Sequence, residues 1–161
     1  KMLSLKSVHI YRQKLTSNAF KKFSSNKLKN VMFVCRRNSC RSQIAEGWAK
    51  SIVKEKCKNI GIKSSGLEGS FVHPNAIKIM ARFGIDIKDQ KSDYLSSYNS
   101  NDFDAVISMC GCGASLPSDW TERPLFMDWN VEDPDGKDDK VFERVSLEIK
   151  DHIEDLISKL D

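Results

Sequence analysis

The chain predicts a doubly wound α/β domain with a parallel sheet, and three observations carry that expectation. Val31 to Cys35 is a short apolar run that stops abruptly in the polar stretch RRNSCRS and passes into a helical pattern. A second apolar run, Phe103 to Cys110, breaks into a loop in the same way. Near the C-terminus, Phe142, Val145, Ile149, Ile153, Leu156 and Leu160 are spaced 3, 4, 4, 3 and 4 apart, which is one face of an amphipathic helix. Strands alternating with helices favour a three-layer αβα sandwich, here with a four-stranded parallel sheet.

The elements follow in order. Continuous apolarity in Val31–Cys35 suits a strand covered on both faces. The helix after it shows Ile44, Ala45, Trp48, Ala49, Ile52 and Val53 on one side, with Ser42 as its expected cap. Ile60 and Ile62 predict a second strand ending at Ser64-Ser65-Gly66. Pro74 suits the first position of another helix, with apolar Ala76, Ile77, Met80, Ala81 and Phe83 and a stop at Gly84. Phe103–Cys110 is the third strand, and Pro124–Trp129 has room for a fourth. Asp133-Pro134-Asp135-Gly136 then signals a turn before the last helix.

Length and charge set the outer bounds. The 161 residues suffice for one core, and no apolar run reaches the roughly 20 residues of a membrane span. Residues 1–30 hold eight of the 26 basic residues and none of the 22 acidic ones, which leaves 18 basic against 22 acidic in the rest. The positive balance therefore belongs to the N-terminal stretch and argues against a nucleic-acid-binding face. A basic, Ser-containing, acid-free leader has the composition of a transit peptide. The expected division is a basic extension over 1–30, disordered in part, and a catalytic domain over 31–161. A transit peptide implies a plastid or mitochondrion; without one the cytoplasm is expected.

Five cysteines, Cys35, Cys40, Cys57, Cys110 and Cys112, are an odd number with no secretory signal, which favours cysteine chemistry over a disulfide framework. Cys35 and Arg41 form C-x5-R between a strand and a helix. A loop of that length turns its N–H groups around a tetrahedral oxyanion, and the helix N-terminus adds positive potential. The expected oxyanion-binding residues are Arg36, Arg37, Asn38, Ser39, Cys40, Arg41 and Ser42, with Arg41 as a bidentate fork. The same field favours the thiolate of Cys35, the attacking form. Ser42 can hydrogen-bond that thiolate and Asn38 can hold the loop. Asp133 is placed to protonate a departing oxygen. Glycines beside Cys112 let Cys110 and Cys112 approach one another, and a disulfide across one residue is readily reduced. Strand-end residues or a soft-metal site are the other readings of that pair.

VMFVCRRNSCRSQIAEGWA, followed by SSGLEGS, VHP, GIDI, VISMCGCG and EDPDG, resembles arsenate reductases built on the low-molecular-weight protein tyrosine phosphatase fold. The resemblance spans 31–161, and the Cys-Gly-Cys pair resembles the cyanobacterial and algal branch that draws on glutathione and glutaredoxin. It implies Cys35 as nucleophile, Arg41 as anion ligand, Asp133 as general acid, and a disulfide passed from Cys35–Cys110 to Cys110–Cys112. No tightly bound cofactor is implied. Glu46, Ser65 and Asp93 match positions that bind potassium in some relatives, with Lys91 where some carry a threonine ligand. The expected partners are arsenate, phosphate or sulfate and glutaredoxin, with thioredoxin as the other reductant; no nucleic acid or membrane is expected, and the protein is expected to be a monomer.

Competing classes are a tyrosine phosphatase, disfavoured because the acid loop lacks flanking aromatics, and a non-catalytic oxyanion sensor. The remaining residues have structural readings: Cys40 packed under the loop, Cys57 structural, His73 at a helix start, His152 solvated, Trp48 in the core, and Trp120 and Trp129 packing the crevice loops.

Overall fold

The computed structural model describes residues 29–111 and 113–160. The expectations for the N-terminal extension and for Cys112 therefore fall outside the described residues, apart from positions 29 and 30. The elements are β1 (Lys29–Cys35), α1 (Arg41–Glu55), β2 (Ile60–Gly66), α2 (Pro74–Arg82), β3 (Ala105–Ser108), α3 (Ser118–Thr121), β4 (Leu125–Asp128) and α4 (Asp139–Lys159). Four parallel strands lie in the order β2-β1-β3-β4. The chain leaves β1 toward β2 on one side and returns to β3 on the other. This makes the C-terminal end of β1 the switch point where such sheets bind ligands. Cys35 is the residue there, in register with Gly66 of β2.

Strand alternation sorts the core. Val31, Phe33 and Cys35 face a large cluster formed with α1, α2 and α4, whereas Met32 and Val34 face a smaller one with Leu95, Phe103, Val106, Leu116 and Trp120. All six residues of the C-terminal apolar stripe are buried, each stabilising the fold by about 1.5–3 kcal/mol. Asp138 caps α4 by accepting from Val141 N at 3.1 Å, and Trp48 Nε1 donates to Ser146 Oγ at 3.0 Å. The second helical layer is thin. It consists of 3₁₀ turns at Leu95–Ser97, Ser100–Asp102 and Gly113–Ser115 together with α3.

Several local expectations are corrected. Ser42 does not cap α1; Cys40 occupies that position without a side-chain cap bond, and the Ser42 hydroxyl turns to Cys35 instead. The third strand is shorter than Phe103–Cys110, because Phe103 N closes a 3₁₀ turn on Ser100 O and Cys110 makes only an isolated bridge to Asn130. His152 is not simply solvated, since its ring stacks on Trp129 with centroids 4.9 Å apart. Cys57 is exposed and ends α1 in the left-handed region at φ 51, a position usually given to Gly or Asn.

Candidate active site

The loop from Cys35 to Ser42 is held by its carbonyls. Arg36 O accepts from Glu68 N at 2.8 Å and Ser39 O from His73 N at 3.1 Å. Arg37 O accepts from Ser92 Oγ at 3.1 Å and Asn38 O from Gln43 Nε2 at 3.0 Å. Cys40 O takes Ile44 N at 2.9 Å. In a trans peptide the C=O and the following N–H point in opposite directions. Five carbonyls pinned outward therefore turn the N–H groups of residues 37 to 41 toward the loop centre, which forms an anion nest at a helix N-terminus.

Asn38 is the hub of this arrangement. It is fully buried and sits at φ 48, a region Asn tolerates better than most residues. Its Nδ2 donates to Ser42 Oγ at 2.8 Å and Ser64 Oγ at 2.9 Å. Its Oδ1 accepts from Gln43 Nε2 at 3.0 Å and Asp93 N at 2.8 Å. The loop also passes so close to β2 that a Cβ on Gly66 would lie 2.7 Å from Asn38 N.

A pocket of about 520 Å³ opens over this loop. Its wall includes Cys35, Arg41, Cys110, Asp133 and Asp135, so side chains from three distant segments meet as the topology requires. Cys35 is buried, with Sγ 2.9 Å from Ser42 Oγ. The buried Arg41 guanidinium donates to Val131 O at 3.0 Å and to Asp133 Oδ2 at 2.9 Å. Cys110 is engaged in a disulfide, while Cys35, Cys40 and Cys57 are free. Burial, followed by the nearby Asp133 and Asp135 carboxylates, pushes the Cys40 thiol up to about 12. It packs inside the loop, as expected, and stays protonated.

Of the residues expected to hold potassium, Glu46 and Asp93 join the loop network, whereas Ser65 lies on the other face of β2. Glu46 is paired with the Lys50 ammonium and accepts from Ser64 Oγ. Ser65 points to Met32 Sδ at 3.2 Å, and Asp93 Oδ2 accepts from Tyr98 Oη at 2.7 Å. Adjacent strand residues face opposite sides of a sheet, so Ser64 and not Ser65 joins the loop network. Lys91 contributes only its carbonyl here, to Gln43 Nε2 at 2.9 Å. No group of three or more His, Cys, Asp or Glu side chains able to hold a metal occurs among the described residues.

Two structural residues escaped the sequence reading. Ser64 was reachable, since the alternation Ile60, Ile62 continues onto it. Gln43, which is fully buried and tied to Asn38, Lys91 and Gln90, carries no such signal.

Residues 30–161 match the family model for low molecular weight phosphotyrosine protein phosphatase. The glutaredoxin arsenate reductase of Synechocystis sp. is 50% identical over 133 residues, 83% of this chain and 99% of that protein. A solved arsenate reductase in its phosphate-binding state superposes with a TM-score of 0.77 at 50% identity, covering 83% of this chain and 100% of that one. The low molecular weight protein tyrosine phosphatase from T. tengcongensis superposes with a TM-score of 0.75 at 28% identity, covering 81% and 99%.

Proposed function

Because the chain belongs to the low molecular weight phosphotyrosine protein phosphatase family and is half identical to a glutaredoxin arsenate reductase, we infer that it reduces arsenate to arsenite with electrons from glutathione and glutaredoxin. The observation that carries this reading is that Cys35 and Cys110 line one pocket together with Arg41 and Asp133. Gripping a tetrahedral oxyanion needs only the loop. Reducing it needs a second sulfur within reach of the first.

The steps follow from these groups and begin once the disulfide at Cys110 has been reduced by the dithiol system. Arsenate enters the nest of N–H groups and displaces the Asp133 carboxylate from Arg41, whose fork then binds two anion oxygens. Asp133, freed from Arg41, takes up a proton from solvent; the Cys35 thiolate attacks arsenic, and Asp133 passes that proton to the departing oxygen, which leaves as water. The Cys110 thiolate next attacks the Cys35 sulfur. The sulfur–arsenic electron pair stays on arsenic, which leaves as arsenite, and a Cys35–Cys110 disulfide remains. Cys112 attacks Cys110, frees the Cys35 thiolate and moves the disulfide outward, where glutathione or a glutaredoxin dithiol returns two electrons. Phosphorus does not take up that electron pair, so phosphate esters stop at hydrolysis, and a weak aryl phosphatase activity accompanies the reductase.

One variant tests the relay. Cys110→Ser, assayed with arsenate, glutathione and glutaredoxin, is expected to lose steady-state arsenite production while keeping aryl phosphate hydrolysis. Undiminished arsenite turnover in that variant refutes the relay. Robust aryl phosphate hydrolysis without arsenite from the unmodified protein favours a phosphatase.

A further inference from the structure

We propose that His73 is a positioning residue for the acid step, holding the Asp133 loop in place through Asp135. This rests on the assignment of Asp133 as proton donor made above. His73 sits where four parts of the molecule meet. Its backbone N–H donates to Ser39 O of the oxyanion loop at 3.1 Å. Its Nδ1 accepts from Asn75 N at 3.1 Å and so caps α2. Its Nε2 lies 3.4 Å from Asp135 Oδ1, and its ring packs against Phe142 of α4 with centroids 5.3 Å apart.

The hydrogen-bond pattern assigns the tautomer. A nitrogen that accepts from a backbone N–H carries no proton, so in the neutral ring the proton resides on Nε2, the nitrogen nearer Asp135. Asp135 is drawn from a second side by Arg37, and its own backbone N donates to Asp133 Oδ1 at 3.1 Å. Asp133 Oδ2 is meanwhile held by Arg41. When an incoming oxyanion takes Arg41 away from Asp133, the bond from Asp135 N is the hold on the acid that remains. Its direction depends on where His73 and Arg37 keep Asp135. A misplacement of about 1 Å in such a group can cost on the order of a hundredfold in rate, so a side chain that never touches substrate can matter to the chemistry.

The helix cap and the contact to Asp135 can be separated by substitution. His73→Asn keeps a side-chain oxygen for Asn75 N, since Asn is among the best N-caps, but is too short to reach Asp135. The experiment measures kcat and KM for arsenate in His73→Asn, Asp135→Asn, Asp133→Asn and His73→Asn/Asp133→Asn, with thermal unfolding of each. The expected result is a kcat lowered about tenfold in His73→Asn and in Asp135→Asn, with KM within about twofold and unfolding near that of the parent. Asp133→Asn is expected to lose about a hundredfold or more, and adding His73→Asn to it should cost less than about twofold further. Multiplying losses in the double variant, or an unchanged kcat in both His73→Asn and Asp135→Asn, overturns the proposal. An unchanged kcat in Asp133→Asn overturns instead the assignment of the acid on which it rests.

Discussion

Replacing Asn38 by alanine removes the side chain on which four of the loop's hydrogen bonds converge. Nδ2 loses Ser42 and Ser64, and Oδ1 loses Gln43 and Asp93. At a net value of about 1 kcal/mol each, these amount to about 4 kcal/mol. Part of that is recovered because Gln43 keeps Asn38 O and Lys91 O and Ser64 keeps Glu46. Alanine at φ 48 adds about 1–2 kcal/mol of backbone strain. The expected loss is therefore about 3–5 kcal/mol, measured by urea unfolding at constant m-value. Asn38→Gly removes the same hydrogen bonds without the strain and should be about 1 kcal/mol more stable than Asn38→Ala. Phosphate is expected to stabilise the parent by binding the preformed nest, and that gain should shrink in both variants as affinity falls at least about tenfold. A loss below about 1 kcal/mol in Asn38→Ala, with phosphate stabilisation intact, refutes the view that this side chain organises the loop.

Two further substitutions address the loop from outside and from within. Gly66→Ala puts a methyl group 2.7–2.9 Å from three backbone atoms, Asn38 N, Arg37 C and Glu68 O, none of which can swing aside. It should cost about 1–3 kcal/mol and weaken phosphate binding in calorimetry; unchanged binding would show that the loop tolerates displacement. Cys40→Ala tests the buried thiol. Its folded pKa of about 12 lies above the ordinary 9.0, so the unfolded chain releases this proton first and stability drains away as pH rises from 9 toward 12. Unfolding measured across that window should fall less steeply in Cys40→Ala than in the parent, and parallel curves would deny the thiol this role.

Much of the site was readable before any coordinates. The break from an apolar run into RRNSCRS, followed at once by a helical stripe, placed Cys35 and Arg41 around an anion loop, and the switch-point rule put that loop at the sheet edge. Asn38 and Ser42 were expected to serve the loop, and they do. What escaped reading depends on contacts between segments far apart in the chain. Gln43 reaches the Lys91 carbonyl and His73 reaches Asp135, and neither pairing has a local signature. The choice between Ser64 and Ser65 turns on which face of β2 meets α1.

Local chemistry and periodicity thus determined the main strands and helices and the place of the Cys35–Ser42 loop between β1 and α1, because spacing along one strand or helix is set by its own backbone repeat. Tertiary structure alone decided how the loop is stiffened. It tied the Arg36, Arg37 and Ser39 carbonyls to Glu68, Ser92 and His73 from elsewhere in the chain, drew Arg41 to Asp133, and brought His73 to the Asp133–Asp135 loop. Such bonds arise only when strand order and register are set, and side chains distant in sequence then become neighbours.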